Sequence, residues 1–250
     1  MPLPPGLVGR MATARRVVAL TGAGVSAESG VPTFRDAQTG LWARFRPEEL
    51  ATAEAFAADP RTVWTWYEWR RDLVAAAEPN PGHHALAAFE SLFPEFTLVT
   101  QNVDGLHSRA GSRRVIEFHG NLFANRCFAG CGAVADVPRP CPEPPRCAHC
   151  GAWLRPGVVW FGEMIPPDAL RAAVAASERC EFFLCIGTSA QVQPAASLAA
   201  RAHEAGAVVA EINPEPTGLD GVAQYRLAGP SGEILPRLLD AVRQRREAGA

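Results

Sequence analysis

The chain contains no lysine; all 24 of its basic residues are arginine. Codon usage in the source genome is the plain explanation, yet the consequence stands that no side chain here bears an amine. Long apolar runs are also missing. None approaches the ~20 residues of a membrane span, so no membrane partner is expected. Net charge is nearly absent, at −2 with a pI of about 6.3. Without a global basic field, no direct binding of nucleic acid is expected either. Residues 1–9 are proline-rich, lack the apolar centre of a secretion signal and read as a flexible leader. These absences together point to a cytoplasmic protein, expected to be a monomer.

What is present suits one large domain with a smaller one inserted: 250 residues, 48% apolar and 20% charged. Five of the seven cysteines fall between positions 127 and 150. With no secretion signal, thiols clustered this way indicate a metal site rather than disulfides. Cys127-x3-Cys131, then fifteen residues, then Cys147-x2-Cys150 read as a four-thiolate structural zinc site with no position left for water. Cys141, between two prolines, and His149, inside the second pair, are the competing ligands. The segment 122–154 is poor in periodic apolar residues and needs the metal to fold. Cys180 and Cys185 lie in a continuous apolar run and are expected in a core.

Elsewhere, short apolar runs alternate with helical patterns. Residues 16–20 lead into Thr21, Gly22, Ala23, Gly24, Val25 and Ser26. Residues 96–99 open onto Gln101, Asn102, Asp104 and Gly105, and 115–118 end at His119 and Gly120. Residues 180–186 end at Gly187, Thr188 and Ser189, 207–212 at Asn213 and Pro214, and 225–228 at a Gly-Pro-Ser-Gly turn. Buried parallel strands deliver polar side chains to a sheet rim in this way. The predicted fold is α/β, a Rossmann-like doubly wound parallel sheet binding ligands at its carboxyl edge. The sheet domain takes 12–40, 81–121 and 155–246; a helical insertion takes 41–80 and a zinc-binding small domain 122–154. Strand, glycine turn and helix start form a phosphate cradle, though the same pattern also describes a tight turn.

Residues 48–58 read as one Ala-rich helix, and Asp59-Pro60 starts the next. That next helix carries Trp64, Trp66 and Trp69, which cannot all face one core. It also sets Tyr67 and Arg70 three apart on one face, where a phenol and a guanidinium would receive a carboxylate. By spacing alone, a core tyrosine beside a solvated arginine is the commoner arrangement. Helices are further expected over 83–93, 166–176, 194–204 and 234–246, with His83 and His84 structural. Phe34 and Arg35 sit in an irregular loop able to lie over a ligand.

Taken in order, Gly-Ala-Gly-Val-Ser at 22–26, Pro-Thr-Phe-Arg at 32–35, Gln-Asn-Val-Asp-Gly at 101–105, Phe-His-Gly at 118–120, the four cysteines, Phe-Gly-Glu at 161–163 and Gly-Thr-Ser at 187–189 resemble the sirtuins over roughly residues 17–239. The resemblance implies NAD-dependent removal of acyl groups from protein lysines, with NAD consumed and one structural zinc. It implies that Gly22, Ala23, Gly24 and Glu28 line the cofactor, with Phe34, Arg35 and Trp42 closing over it. Gln101 would approach the nicotinamide ribose, and Asn102 and Asp104 the nicotinamide pocket. Gly187, Thr188 and Ser189 would meet phosphate and ribose, Asn213, Pro214 and Glu215 the adenosine ribose, and Ser231 the adenine. Residues Val159, Trp160, Phe161 and Gly162 would pair with the backbone of an acylated-lysine peptide as an added strand. His119 would be the general base toward a ribose hydroxyl. Tyr67 and Arg70 resemble the subgroup that removes succinyl and malonyl groups, whereas Gln193 resembles the deacetylase branch. Without lysine, the chain cannot carry such acyl groups on its own side chains. The rival readings are a dehydrogenase, which the late third glycine at Gly30 disfavours, and a zinc-ribbon interaction module, which the sparse arginines near the cysteines disfavour.

Overall fold

The computed structural model describes residues 2–32 and 46–249. Phe34, Arg35 and Trp42 therefore lie outside the described residues. In chain order the elements are α1 (Leu7–Thr13), β1 (Arg16–Thr21), α2 (Ala23–Ala27), α3 (Pro47–Leu50), α4 (Ala53–Ala58), α5 (Pro60–Ala76), α6 (Pro81–Leu92), β2 (Glu95–Thr100), α7 (Leu106–Arg109) and β3 (Val115–Glu117). They continue with β4 (Gly120–Cys127), β5 (Leu154–Val158), α8 (Pro167–Arg179), β6 (Phe182–Ile186), α9 (Ser197–Glu204), β7 (Val208–Asn213), β8 (Tyr225–Ala228) and α10 (Ser231–Glu247).

Six strands form one sheet in the order β3-β2-β1-β6-β7-β8, every neighbouring pair parallel. The chain builds outward from β1 in one direction, then returns to β1 and builds in the other. A doubly wound sheet places its crevice at that reversal, here between the carboxyl ends of β1 and β6. Strand alternation divides the core. Val17 and Ala19 face a layer made by α1, α6 and α10, while Val18 and Leu20 face α8 and α9. Buried on both sides, these strands read as continuous apolar runs.

The expected leader is instead partly helical. Leu7 and Met11, four apart on α1, are fully buried in the layer with α10. The prolines before Leu7 mask a helix whose second half lies beyond residue 9. The single helix expected over 48–58 is two, α3 and α4, because Thr52 adopts an extended conformation and its side chain accepts from the Ala55 amide as an N-cap. The break frees the Ala51 carbonyl to accept from the Phe161 amide at 2.9 Å.

Strand β5 does not join the large sheet. It pairs antiparallel with β4, Gly120 opposite Val158 and Cys127 opposite Leu154, across both expected edges of the small domain. Helix α5 closes over this pair. Its tryptophans divide as expected, Trp66 into the core with Tyr67 and Trp160, and Trp64 toward the zinc segment, where its Nε1 donates to the Cys141 carbonyl at 2.7 Å. Arg71, buried beside Trp64, donates to Leu122 O at 2.7 Å, Asn125 Oδ1 at 2.8 Å and Glu68 at 2.6 Å. A charge this deep is tolerated only because its donors are engaged.

Candidate active site

The crevice is built from two turns in backbone contact. Gly22 N donates to Ile186 O at 3.0 Å and Gly24 N to Gly187 O at 2.9 Å. A Cβ on Gly22 would stand 2.7 Å from Thr188 Cβ, and one on Gly24 2.8 Å from Gly187 O. Any side chain there would force the turns apart, so glycine is required for the close approach. From the β2 rim, Gln101 Nε2 reaches across to Thr188 Oγ1 at 2.9 Å. The rim of β7 lies beside it, where Gly187 N donates to Ile212 O at 2.9 Å and Asn213 Nδ2 donates to Glu215 O at 2.7 Å. Pro214 and Glu215 are exposed there, and Ser189 is half-buried. Glu28 accepts from Ser231 Oγ at 2.7 Å and Gly232 N at 3.0 Å. These two expected cofactor residues therefore meet each other, and Glu28 also sets a carboxylate at the start of α10.

Beneath the crevice lies a closed polar cluster. Asp104 accepts from Leu106 N at 2.8 Å and from Ser26 Oγ at 2.7 Å. Asn102 Nδ2 donates to Ser26 Oγ at 3.0 Å and to Gly22 O at 3.1 Å. His83 Nδ1 accepts from Asn80 N at 3.3 Å, completing a capping box that starts α6. Thr100 Oγ1 accepts both Asn102 N at 3.0 Å and Thr21 Oγ1 at 2.8 Å. Thr21 in turn accepts from His107 Nε2 at 2.9 Å. Burial raises Asp104 above the usual carboxylate range, against the Leu106 and Ser26 hydrogen bonds. Burial lowers His83 to about 4 and His107 to about 3, so both imidazoles are neutral at working pH.

His119 stands apart from this cluster, half-buried just beyond β3. Its Nδ1 lies 3.0 Å from the Gln101 carbonyl. A carbonyl only accepts, so Nδ1 carries the proton and Nε2 keeps its lone pair. Burial lowers the imidazole below its ordinary value, partly opposed by that hydrogen bond. A neutral ring with one oriented, unprotonated nitrogen can accept a proton from a group placed before it.

Past His119 the chain arches over residues 159–163. Val159 N donates to His119 O at 2.8 Å, Trp160 N to Glu163 Oε2 at 2.8 Å, and Phe161 N to Ala51 O. Three of the four amides at 159–162 are thus engaged inside the protein, and among the described residues Gly162 N and the Val159 carbonyl have no such partner. Glu163 also receives Arg126 NH2 at 2.9 Å and a bidentate grip from Arg155, whose guanidinium lies 3.2 Å over the Trp160 ring. The Trp160 side chain is not presented to a ligand; it is buried, and its Nε1 donates to Tyr67 OH at 2.8 Å. Tyr67 is buried as well, and burial pushes its phenol up to about 12. The Arg70 guanidinium lies 5.1 Å from the Trp66 ring, and burial lowers its pKa while the neighbouring Tyr67 raises it. An arginine side chain stays charged regardless.

At the far end of β4, the sulfurs of Cys127, Cys131, Cys147 and Cys150 all lie within 4.8 Å of one another, with 127–150 at 3.4 Å and 131–147 at 3.7 Å. A tetrahedron with Zn–S near 2.3 Å has edges of roughly 3.8 Å, so this donor set fits zinc. Neither competing ligand joins it. Cys141 Sγ donates to Glu143 O at 3.1 Å, and His149 is exposed. Cys180 and Cys185 are buried, as expected. Sequence reasoning missed Ser26, His107, Arg71 and the Arg126–Arg155–Glu163 group. Ser26, inside the glycine motif, and Glu163, inside Phe-Gly-Glu, were the ones with a signal.

The Sir2 family model matches residues 22–194. The chain is 51% identical over 249 residues to the NAD-dependent protein deacylase of Methylococcus capsulatus, covering 96% of this chain and 97% of that protein. A solved complex of a Sir2 homologue with NAD superposes with a TM-score of 0.92 at 49% identity, covering 98% of this chain and 96% of that one. A Sir2 complex with a p53 peptide and NAD+ superposes with a TM-score of 0.82 at 30% identity, covering 94% and 97%.

Proposed function

The chain belongs to the Sir2 family and is an NAD-dependent protein deacylase; we propose that it prefers the acidic acyl groups, succinyl and malonyl, on protein lysines. The observation that carries the preference is Tyr67 beside Arg70 in the α5 wall, a buried phenol next to a half-buried cation. An acyl chain ending in a carboxylate would receive a charge-assisted bond from Arg70 and a hydrogen bond from Tyr67. An acetyl group offers neither.

NAD, when bound, supplies a ribose carbon that turns electrophilic as nicotinamide departs. Gly22, Ala23, Gly24, Gly187, Thr188 and Ser189 would line its phosphates and ribose, and Asn213 with its neighbours the adenosine end. Asn102 and Asp104 would hold the nicotinamide amide, since both are oriented by Ser26. His119 would take a proton from a ribose hydroxyl at Nε2, the nitrogen that the Gln101 carbonyl leaves bare. The arch at 159–162 would carry the peptide. The peptide complex of a relative supports a protein segment as substrate. The four thiolates would hold zinc away from these steps and stabilise the β4–β5 module. We read the protein as a cytoplasmic monomer; among the described residues no helix is long and apolar enough to cross a membrane.

The test compares Arg70→Met with wild type on acetyl- and succinyl-lysine peptides of one sequence. Loss of the charged partner should lower succinyl kcat/KM by about 30-fold or more. Acetyl activity should fall far less. Equal loss on both would make Arg70 a scaffold residue, and a wild type that turns over both peptides alike would be a plain deacetylase.

A further inference from the structure

We propose that Trp160 is a specificity-determining residue: its indole N–H fills the acceptor side of the Tyr67 hydroxyl, leaving that hydroxyl only its proton to offer, so that the acyl pocket selects a terminal acceptor. The inference rests on the acidic-acyl reading above.

A phenol oxygen both accepts and donates. Left to itself, a pocket tyrosine accommodates a ligand donor or a ligand acceptor by rotating its proton. Here the oxygen already accepts from Trp160 Nε1 at 2.8 Å. Among the described residues no acceptor receives the Tyr67 proton. Both side chains are buried, Tyr67 and Trp160 each 2% exposed. A buried donor without a partner is costly, and a ligand that supplies the acceptor removes the cost. A carboxylate does so; a methyl does not.

The indole is itself closely packed. Arg155 lies flat on it, and Phe56 packs on it with ring centroids 5.4 Å apart. Arg155 is gripped by Glu163, which also holds the Trp160 amide. The arch that would carry the peptide and the phenol that would read the acyl group are therefore one rigid unit, joined through residue 160. That link spans 93 positions of sequence.

The experiment replaces the N–H without changing the shape, by installing benzothienylalanine at position 160, with Trp160→Phe as the genetic counterpart. The readout is the ratio of kcat/KM on succinyl-lysine to that on acetyl-lysine peptide, with NAD saturating. The ratio should fall about tenfold in both variants, the order of one hydrogen bond to a charged group. In a Tyr67→Phe background the same replacements should leave the ratio unchanged, because the hydroxyl they orient is gone. A packing role alone would lower both substrates together; that result, or a fall that persists without the Tyr67 hydroxyl, overturns the proposal. The two levels fail separately. A wild-type ratio near one removes the acidic-acyl reading and this inference with it. A selective wild type that is indifferent to position 160 removes the inference alone.

Discussion

Two sets of histidines lie near one sheet rim and differ in their surroundings. His83 and His107 face each other with ring centroids 4.7 Å apart, fully enclosed, and burial drives them to about 4 and about 3. His119, twelve residues past His107, is half-buried, and burial lowers it while the hydrogen bond to the Gln101 carbonyl supports its proton. The enclosed pair cannot exchange protons with a ligand at working pH, so its rings serve as fixed hydrogen-bond groups beneath the crevice. The half-open ring keeps a nitrogen available to whatever fills the cleft. On the proposed reading, the same side chain serves as scaffold or base according to how much water the fold leaves it.

The sharpest way to break this contrast is His119→Ala. Turnover should fall by 10²–10⁴-fold, the usual worth of a positioned base. NAD affinity by titration calorimetry and the urea midpoint should stay close to wild type, because the ring touches the scaffold through one bond to Gln101. Retained turnover would move the base elsewhere.

Much of this was readable in the chain. The runs ending at Gln101, His119, Gly187 and Asn213 lie in parallel strands, and the motif order anticipated which residues the crevice would collect. Spacing also chose the four cysteines that cluster, over Cys141 and His149. What was hidden depends on side chains far apart in sequence. Nothing local distinguishes His107 from His119, since both follow a strand rim and differ only in what packs above them. The Trp160–Tyr67 bond joins a strand end to a helix, and neither periodicity mentions the other. Arg71 reads like its neighbour Arg70, although one helical step turns it toward Trp64 and the zinc segment. Helix α1 escaped because its two buried residues stand among prolines and glycines.

The second prediction concerns the enclosed pair. His107→Ala would leave Thr21 Oγ1 without its donor and open a cavity under the β1 rim. Together these should cost about 2–4 kcal/mol of stability, measured by urea unfolding at pH 7. Turnover per folded molecule should drop less than tenfold. A large kinetic defect with unchanged stability would erase the division between scaffold and base.

The smallest expected effect is also the most direct test of enclosure. A histidine lowered in the folded state refuses a proton that the unfolded chain accepts below about pH 6.5. Its contribution to stability is therefore complete above that pH and is lost as pH falls toward the folded value, about 4 for His83. By pH 5.5 the loss should reach about 1 kcal/mol for this residue. Glutamine at 83 keeps an acceptor for the Asn80 amide but does not titrate. Urea midpoints between pH 7 and 5.5 should therefore decline more steeply for wild type than for His83→Gln. Carboxylates elsewhere titrate alike in both proteins, so the difference between the two slopes isolates the ring. Parallel slopes would mean that water reaches His83, and the closed floor of the crevice would have to be redrawn.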